Sequence, residues 1–253
     1  MVAGACAGSR AFVPGVPVGE ATLLRYPSAW SLGAPSSRGA CPVLKLDATE
    51  RVPDLPPLPR ERPEQPEPVR VGQWTVTASF DDARQLLLQA DAGELRVGPV
   101  PVLGDTPIAV QLVPDDDAVV IVGTHADRLI HARWQPSTGS FTHAPSTVVD
   151  ELPICKSRPG ITDAITHDGL VYVALLAAAA GEHGPCGGYT EKTMYLSATV
   201  VISRDGLVTK PMRHPLADAP TRLGVVDGTV VGRQEGWFDG RTAGFRIGCV
   251  AQP

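Results

Sequence analysis

Four Asp-Gly dipeptides constrain the fold of this chain more than any other feature. They are Asp168-Gly169, Asp205-Gly206, Asp227-Gly228 and Asp239-Gly240, and each lies between apolar segments of β-like composition. A two-residue hairpin turn of type I′ needs positive φ at both central residues, and Asp-Gly is one of the pairs that favour it. Because the chain contains no asparagine, Asn-Gly turns are excluded. The dipeptides therefore predict antiparallel hairpins of short strands.

The segments beside these turns have the alternation and the β-branched content of strands. We predict strands over residues 161–166, 170–175, 195–203, 223–226, 229–233 and 245–247. Earlier in the chain we predict strands over residues 74–80, 84–89, 108–113, 118–122 and 128–134. Residues 81–90 are the one stretch in which a short helix is an alternative. Residues 170–180 are too short to span a membrane and are interpreted as a strand that runs into a loop of small residues.

These segments form a loose internal repeat of strand, acidic turn, strand, loop and further strand. Its units begin near Val76, Ile108, Ile161 and Arg222. The plan resembles the blades of a β-propeller, of which five would just fit the chain length. We predict an all-β fold with a propeller-like arrangement of short antiparallel hairpins; a β-sandwich or an irregular barrel is the alternative. The sequence Ser203-Arg204-Asp205-Gly206 resembles the Asp-box turn of sialidase-type propellers, but it lacks that motif's aromatic residue, so no sialidase activity is inferred.

The N-terminal third differs in composition. Residues 53–69 contain seven prolines, which exclude a helix or a central strand and favour polyproline II. We predict a flexible N-terminal tether over residues 1–11 and a segment packed on the β domain over 12–52. A Pro-rich strap or linker follows over 53–70, and the β-repeat domain over 71–253.

Four scattered cysteines, Cys41, Cys155, Cys186 and Cys249, are enough for two disulfides. Their spacing does not fit a metal site, which needs pairs close in sequence. Because Cys155 and Cys186 lie in turn-rich stretches, we predict a bridge between them and a second bridge between Cys41 and Cys249. Other pairings, and lone buried thiols, are the alternatives. Paired cysteines predict an extracytoplasmic location.

The fifth cysteine, Cys6, follows a run of small residues, Val2-Ala3-Gly4-Ala5, and precedes Ala7-Gly8-Ser9. This segment resembles the lipobox of bacterial lipoproteins, which implies lipidation of Cys6; an unpaired cysteine in a flexible terminus is the alternative. The composition, with abundant Ala, Gly, Pro and Val and with Arg far in excess of Lys, resembles that of actinobacterial proteins. Together these resemblances imply a secreted protein or a lipoprotein of the bacterial cell envelope.

No catalytic, cofactor or metal signature is present. A G-x-S-x-G motif and a Gly-rich phosphate loop are absent, and the six histidines form no close metal pair. Asp163 with Asp168, and the run Asp115-Asp116-Asp117, are candidate acid pairs or cation ligands. Solvated hairpin turns explain them better, since Asp is common in turns. A net charge of −5 without a basic stripe argues against nucleic acid as a partner.

The dipeptide Trp237-Phe238, in a turn-like segment, is a candidate partner contact; a packing lid over the core is the alternative. The sequence thus favours a non-enzymatic, extracytoplasmic binding or accessory protein that recognises a protein or a glycan through its loops. The alternatives are a secreted glycan hydrolase or lyase on a propeller, and a structural subunit of a cell-surface complex.

Overall fold

The computed structural model describes residues 23–25, 29–32, 43–59, 65–102, 109–125, 128–143, 147–148, 160–180, 193–203, 208–209, 211–236 and 239–250. Within these ranges the chain forms strands and turns and no helix. The strands build four antiparallel sheets, here numbered I to IV. The predicted all-β class is therefore confirmed.

The first two sheets follow one another along the chain. Sheet I contains β4 (Val69–Val71), β5 (Trp74–Phe80), β6 (Leu86–Ala92) and β7 (Leu95–Pro101). Sheet II contains β8 (Ala109–Asp115), β9 (Ala118–His125), β10 (Arg128–Gln135), β11 (Ser140–His143) and β12 (Thr147–Val148). In each sheet consecutive strands pair as a meander, and β12 adds to β10.

The other two sheets complete the body of the protein. Sheet III contains β13 (Gly160–His167), β14 (Leu170–Ala180), β15 (Thr193–Ile202) and β16 (Met212–Arg213). Sheet IV contains β17 (Thr221–Val226), β18 (Thr229–Glu235) and β19 (Thr242–Val250), and then β3 (Val43–Thr49), β2 (Ala29–Leu32) and β1 (Leu23–Arg25). It thus joins early and late parts of the chain, with Gly244 opposite Thr49 and Val250 opposite Val43.

One strand from each sheet takes part in a row of neighbouring strands that follows sequence order. Strand β4 contacts β8, β8 contacts β13, and β13 contacts β17. Successive meanders with adjacent first strands are the plan of propeller blades, and the arrangement is propeller-like. Strands β8, β13 and β17 begin within one residue of the predicted repeat starts Ile108, Ile161 and Arg222. The fourth predicted start, Val76, lies in β5, the second strand of sheet I. The described residues form four sheets rather than the five blades that the length accommodates.

Two Asp-Gly turns are two-residue hairpins, as predicted. Asp168 and Gly169 have φ of 51° and 74°, and Asp227 and Gly228 have φ of 49° and 72°. Asp239-Gly240 instead lies within the longer connection between β18 and β19. Asp205-Gly206 lies outside the described residues.

One alternative among the predicted elements is resolved in favour of a strand, and one detail is wrong. Residues 81–90 form a turn and then β6, because Leu86, Leu88 and Ala90 alternate into the core. Asp81 closes that turn by accepting a hydrogen bond from the backbone N–H of Gln85 at 2.7 Å. The supposed small-residue loop that ends residues 170–180 is instead part of β14, which pairs with β15 as far as Ala180 opposite Thr193.

Three hydrophobic clusters fill the spaces between consecutive sheets. The two faces of β9 contribute side chains to two of these clusters, so all its residues from Ala118 to Thr124 are buried. The cluster between sheets I and II includes Trp74, Leu86, Leu88, Ile121 and Trp134. The one between sheets II and III includes Val122, Leu129, Val173, Leu175 and Val200, and the one between sheets III and IV includes Tyr172, Met212, Leu223, Phe245 and Ile247.

The other face of sheet IV is covered differently. The Pro-rich stretch connects β3 in sheet IV to β4 in sheet I, and its residues 51–59 lie on the face of sheet IV that points away from sheet III. We call residues 51–59 the strap. Its contacts with sheet IV are those expected of a strap lying on the fold, while the boundaries predicted for the four segments of the chain stay predictions.

Candidate functional site

Alternate residues of β17 and β18 face the strap. Thr221 and Leu223 point toward sheet III and are buried, so the pleat places Arg222 and Gly224 on the opposite face. The register pairs Arg222 with Arg233 and Gly224 with Val231. Two arginines and a glycine therefore lie next to one another beneath the strap.

Two glycines make room for the strap. A Cβ at Gly224 would lie 2.5 Å from Cδ2 of Leu55, and a Cβ at Gly244 would lie 2.5 Å from Cδ of Pro53. Neither glycine has a positive φ, so their role is close approach rather than backbone conformation. The strap is thus seated in a shallow channel of sheet IV.

A cleft of about 300 Å³ opens between the end of the strap and the strands beneath it. Its lining combines apolar groups with charged ones: Pro57, Leu58, Pro220, Arg222, Arg233, Glu235 and Gly236. This volume lies at the lower end of the range of small-ligand sites. The cleft has room for a few side chains of a bound partner but not for an extended ligand.

Arg233 holds the strap at the edge of this cleft. Its Nη1 donates to the carbonyl oxygen of Leu55 at 2.9 Å, and its Nη2 lies 3.3 Å from Oε2 of Glu235. Its Nε is buried and has no hydrogen-bond partner among the described residues. The guanidinium is thus only partly satisfied by the protein.

Arg222 links the cleft to a buried carboxyl group. Its Nε lies 3.5 Å from Oδ2 of Asp163, and its side chain is 37% exposed. Within the described ranges, this ion pair is the one interaction found for the Arg222 guanidinium. Arg222 also lines the cleft.

Asp163 ties three sheets together. Its carboxylate accepts hydrogen bonds from the backbone N–H of Leu223 in sheet IV at 2.8 Å and from Nε2 of Gln111 in sheet II at 3.1 Å. It also accepts one from the backbone N–H of Ala164 at 3.0 Å. Burial raises the pKa of this carboxyl, and these hydrogen bonds and Arg222 oppose the rise.

A β-bulge places Asp163 at this junction. The register between β13 and β14 shifts between Ile161 and Asp163, leaving Thr162 as the extra residue. The Thr162 hydroxyl donates to the carbonyl oxygen of Thr221 at 3.0 Å and accepts from the Thr221 N–H at 3.3 Å. The bulge thereby joins β13 to β17 where the two sheets meet.

Asp163 and Asp168 do not form a catalytic pair. Asp168 lies in the exposed turn after β13, with a side chain that is 85% exposed, whereas Asp163 is buried within the strand. Five residues of extended strand separate their Cα atoms by roughly 17 Å. Glycosidase carboxylates lie about 5–10 Å apart, so the geometry assigns Asp163 to structure and Asp168 to a hairpin turn.

The acidic run Asp115-Asp116-Asp117 is held by ion pairing with a neighbouring strand. Arg133 of β10 contacts Asp115 through Nη1 and lies 3.7 Å from Asp117 through Nη2, and Gln135 donates to Asp117. Among the described residues no group of three or more His, Cys, Asp or Glu side chains is arranged to hold a metal ion. This turn is therefore explained by its protein partners.

A buried polar network lies on the other face of sheet IV. Nδ1 of His214 is 2.8 Å from Oγ of Ser197 and 2.7 Å from Oγ1 of Thr221, and Nε2 is 2.8 Å from Oγ1 of Thr199. Nε2 of Gln234 donates to Oγ of Ser197 at 3.2 Å. All five side chains are buried. A serine beside a histidine suggests a nucleophile, but these side chains are buried and hydrogen-bonded to one another, which assigns the network a structural role.

His214 is kept neutral by its surroundings. Burial lowers its pKa to about 3. Its ring stacks on Phe245 of β19, with centroids 4.4 Å apart and an interplanar angle of 24°. The imidazole thus serves as a hydrogen-bonded part of the core between sheets III and IV.

The predicted partner contact directly follows a residue of the cleft in the sequence. Trp237 and Phe238 are outside the described residues, but Gly236, which lines the cleft, immediately precedes them. The Gly236 N–H donates to the carbonyl oxygen of Arg241 at 2.8 Å, which closes the loop that carries the dipeptide. The loop therefore begins at the wall of the cleft.

The predicted cysteine sites are not described at the level of side chains. Cys6, Cys41, Cys155 and Cys186 lie outside the described residues, and for Cys249 only the backbone in β19 is described. The proposed bridges and the lipidation of Cys6 stay predictions.

Arg222 and Arg233, and the strap cleft that they line, were not predicted as functional from the sequence. One signal was present: Gly224 and Gly244 interrupt two strands, and an isolated glycine in a strand often marks close approach of another backbone. The chain offered no indication that the approaching segment was the Pro-rich stretch.

Comparison with known proteins adds little. No family model matches the sequence, and no curated protein is significantly similar to it. A solved structure of a hypothetical protein from Leishmania major aligns with 72% of this chain and 82% of its own, at 12% identity and a TM-score of 0.26. A likeness this weak carries no argument about the fold or the function. In the described part of the chain no helix is long and apolar enough to cross a bilayer.

Proposed function

We propose that this protein is a non-enzymatic binding or accessory protein that works outside the cytoplasm and recognises a protein or glycan partner. The observation that carries the proposal is the strap cleft, whose wall at Gly236 leads into the loop bearing Trp237 and Phe238. Arginines that line a cleft and an aromatic dipeptide that follows the cleft residue Gly236 in the sequence are residue types enriched in interaction hot spots. The candidate acid and Ser-His groups, by contrast, are explained by structural roles.

The proposed extracytoplasmic location rests on the cysteines, and each predicted bridge would join segments next to paired strands. Cys155 precedes β13 and Cys186 follows β14, and these strands form one hairpin whose open end lies at Gly160 opposite Leu176. Val43, two residues after Cys41, pairs with Val250, directly after Cys249. Each predicted pair thus flanks or belongs to paired strands; β14 continues to Ala180, and Cys249 lies opposite Leu44.

The location is tested by the intact mass of the protein isolated from its native host, measured without reductant. We expect a mass about four hydrogens below that of the fully reduced chain, and peptide mapping that pairs Cys155 with Cys186 and Cys41 with Cys249. A diacylglycerol adduct on Cys6 would identify a lipoprotein. A complete set of free thiols would contradict the extracytoplasmic assignment.

The binding function is tested with the double substitution Trp237→Ala/Phe238→Ala in the full chain. We expect quantitative cross-linking to envelope proteins and binding to a glycan array to reveal a partner for the wild type, and the double variant to lose at least tenfold of that signal. Leu95→Ala is the matched control, because Leu95 is an exposed apolar residue of sheet I, 59% accessible, and does not line the cleft. Equal loss in both variants, or retention of binding by the double variant, would overturn the assignment of this surface.

A further inference from the structure

The strap shows which kind of segment the shallow channel of sheet IV accepts. Pro53 and Leu55 are half-buried against the sheet, whereas Asp54 and Pro56, on either side of Leu55, are exposed. This alternation is that of an extended chain in which every second side chain faces the sheet. Pro53 and Leu55 are also the side chains that lie closest to the two glycines of the channel. The channel therefore fits small apolar side chains at alternate positions of an extended segment.

Sheet IV contacts the backbone of the strap through its carbonyl groups. Oγ1 of Thr49 donates to the carbonyl oxygen of Arg51 at 2.8 Å, and Nη1 of Arg233 donates to that of Leu55 at 2.9 Å. The Leu55 N–H donates within the strap, to the carbonyl oxygen of Pro53 at 2.9 Å. Proline has no N–H to offer, so a surface that contacts carbonyl groups and apolar side chains suits a Pro-rich segment.

The strap leaves part of this surface unused. With the strap in place, its end at Pro57 and Leu58 borders an open cleft of about 300 Å³. Nε of Arg233 is buried and has no hydrogen-bond partner among the described residues, although the same guanidinium holds the Leu55 carbonyl. A buried donor without an acceptor costs free energy that a better placed carbonyl would recover. A different extended segment, with a larger side chain at the position of Leu58, can thus fill the surface more completely than the strap does.

We propose that the channel beneath the strap is a binding site for an extended Pro- and Leu-containing segment of a protein partner, and that the strap occupies this site until the partner displaces it. All side chains of the strap are at least partly exposed, so the strap can lift without opening a core cluster. A Pro-rich partner segment is extended before it binds and loses little conformational entropy. Because the strap is tethered to β3, its high effective concentration excludes weak ligands. This inference rests on the proposed binding function and adds the chemistry of the partner and its regulation.

The first test uses the wild-type protein and dye-labelled peptides, with fluorescence anisotropy as the readout. The probe has the sequence of residues 52–59, except that Phe replaces the residue equivalent to Leu58. The control peptide carries in addition Ser in place of the residue equivalent to Leu55. We expect saturable binding of the probe and binding of the control that is weaker by about tenfold or more, because the control loses the apolar contact at Gly224. The unaltered strap sequence should bind more weakly than the probe, since it leaves the cleft empty.

Substitutions in the full chain then test the role of the strap. Leu55→Ser weakens the seating of the strap and should tighten binding of the probe by about tenfold or more, because the competitor is removed. Adding Gly224→Ala to Leu55→Ser places a Cβ in the channel and should abolish that gain. Gly248→Ala in the same background is the matched control, because a Cβ there meets nothing within 4 Å. It should leave the affinity for the probe unchanged.

Three results would overturn the proposal. Equal binding of the probe and the control peptide by the wild type would show that the channel does not select the segment. Equal affinity of the wild type and Leu55→Ser for the probe, with core amide protection intact in both, would show that the strap does not compete. A concentration-dependent dimer of the wild type that is lost in Leu55→Ser would assign the channel to the strap of a second copy.

The peptide tests are separable from the test of the proposed function. Failure of the peptides to bind, while Trp237→Ala/Phe238→Ala still abolishes partner binding, would reject this inference alone. Selective peptide binding in a protein whose partner binding is unaffected by Trp237→Ala/Phe238→Ala would support the channel and reject the aromatic dipeptide as the recognition surface.

Discussion

The two faces of sheet IV are built from the same strands but differ in burial and in how their polar groups are paired. The face toward sheet III carries Phe245, Leu223 and the His214 network, and its polar groups are buried and hydrogen-bonded to one another. The face toward the strap carries Arg222 and Arg233, which are partly exposed and only partly paired. Because side chains alternate between the faces of β17 and β18, successive residues face the buried polar network on one side and the open, charged cleft on the other.

The difference distinguishes structural polar groups from groups available for recognition. A buried network in which every member has a partner contributes to specificity of packing and excludes ligands. A guanidinium at a cleft wall that retains unfilled donors is available to a partner. Since the two faces share their strands, substitutions at adjacent positions can separate stability from binding.

The largest expected effect is on the core face. Phe245→Ala removes a fully buried ring that fills the space over Gly232 and stacks on His214, and should lower the free energy of unfolding by about 3–5 kcal/mol. Arg246→Ala, at the next residue on the opposite face, should change it by no more than about 0.5 kcal/mol. Urea unfolding of both variants measures the contrast. Similar losses in the two would show that the faces are not separable.

The second effect is a dependence of stability on pH that arises from His214. Its pKa in the folded protein is about 3, below the ordinary value of 6.5, so the unfolded chain takes up a proton first as the pH falls. Stability from this group is therefore complete above pH 6.5 and is lost toward pH 3. At about 1.4 kcal/mol per pH unit, the loss between pH 7 and pH 4 is roughly 3 kcal/mol.

This effect is isolated by comparing the wild type with His214→Gln across that pH range. The variant should be less stable at pH 7 and should lose less stability on acidification. Asp163 acts in the opposite sense, because burial raises its pKa, but it is present in both proteins and cancels. Parallel pH curves for the two proteins would show that His214 titrates normally.

The third effect concerns the seat of the strap. Gly224→Ala would bring a Cβ to 2.5 Å from Leu55, so we expect the strap to shift and the free energy of unfolding to fall by about 1–2 kcal/mol. Backbone amide exchange in residues 51–59 should accelerate while the core strands stay protected. Gly248→Ala is the matched control in sheet IV, since a Cβ there meets nothing within 4 Å. Unchanged exchange in Gly224→Ala would show that the strap adapts without release.

The smallest effect is the loss of one strap hydrogen bond. Arg233→Gln removes the bond to the Leu55 carbonyl and should cost about 1 kcal/mol. It should speed amide exchange near Leu55 without affecting residues around His214. Arg96→Gln, which removes a well exposed ion pair with Asp91, should alter neither measurement. Faster exchange around His214 in Arg233→Gln would show that the two faces are coupled.

Local features of the sequence predicted much of the fold. Asp168-Gly169 and Asp227-Gly228 form hairpins because their conformational preferences are set within a few residues. The alternation of Trp74, Val76 and Ala78 correctly indicates the buried face of β5. The turns at Gly72 and Gly93 have φ of 56° and 63°. They were not predicted because Gln73 and Glu94 follow these glycines, so neither turn contains an Asp-Gly pair. They too are local signals.

The candidate site was less accessible to prediction because it is assembled from distant residues. Leu55 and Arg233 are separated by 178 positions, and their hydrogen bond depends on how the strap crosses sheet IV. The register that places Arg222 beside Arg233 is fixed by the Asp227-Gly228 turn, but the exposure of both depends on what covers that face. Trp237 and Phe238 were predicted as a partner contact because both are aromatic and lie in a turn-like segment. The cleft itself was not predicted.

The pairing of β3 with β19 has a consequence for how the protein is made. Strand β3 leaves the ribosome early, yet the edge that Thr49 and Leu46 offer is matched only when Gly244 and Ile247 have been synthesised. Until then one edge of β3 has unpaired backbone N–H and C=O groups, which can pair with a strand of another nascent chain. The β3–β19 pairing of sheet IV therefore forms only after residues 242–250 have been synthesised, and deletion of β19 would leave β3 and β18 each with an unpaired edge.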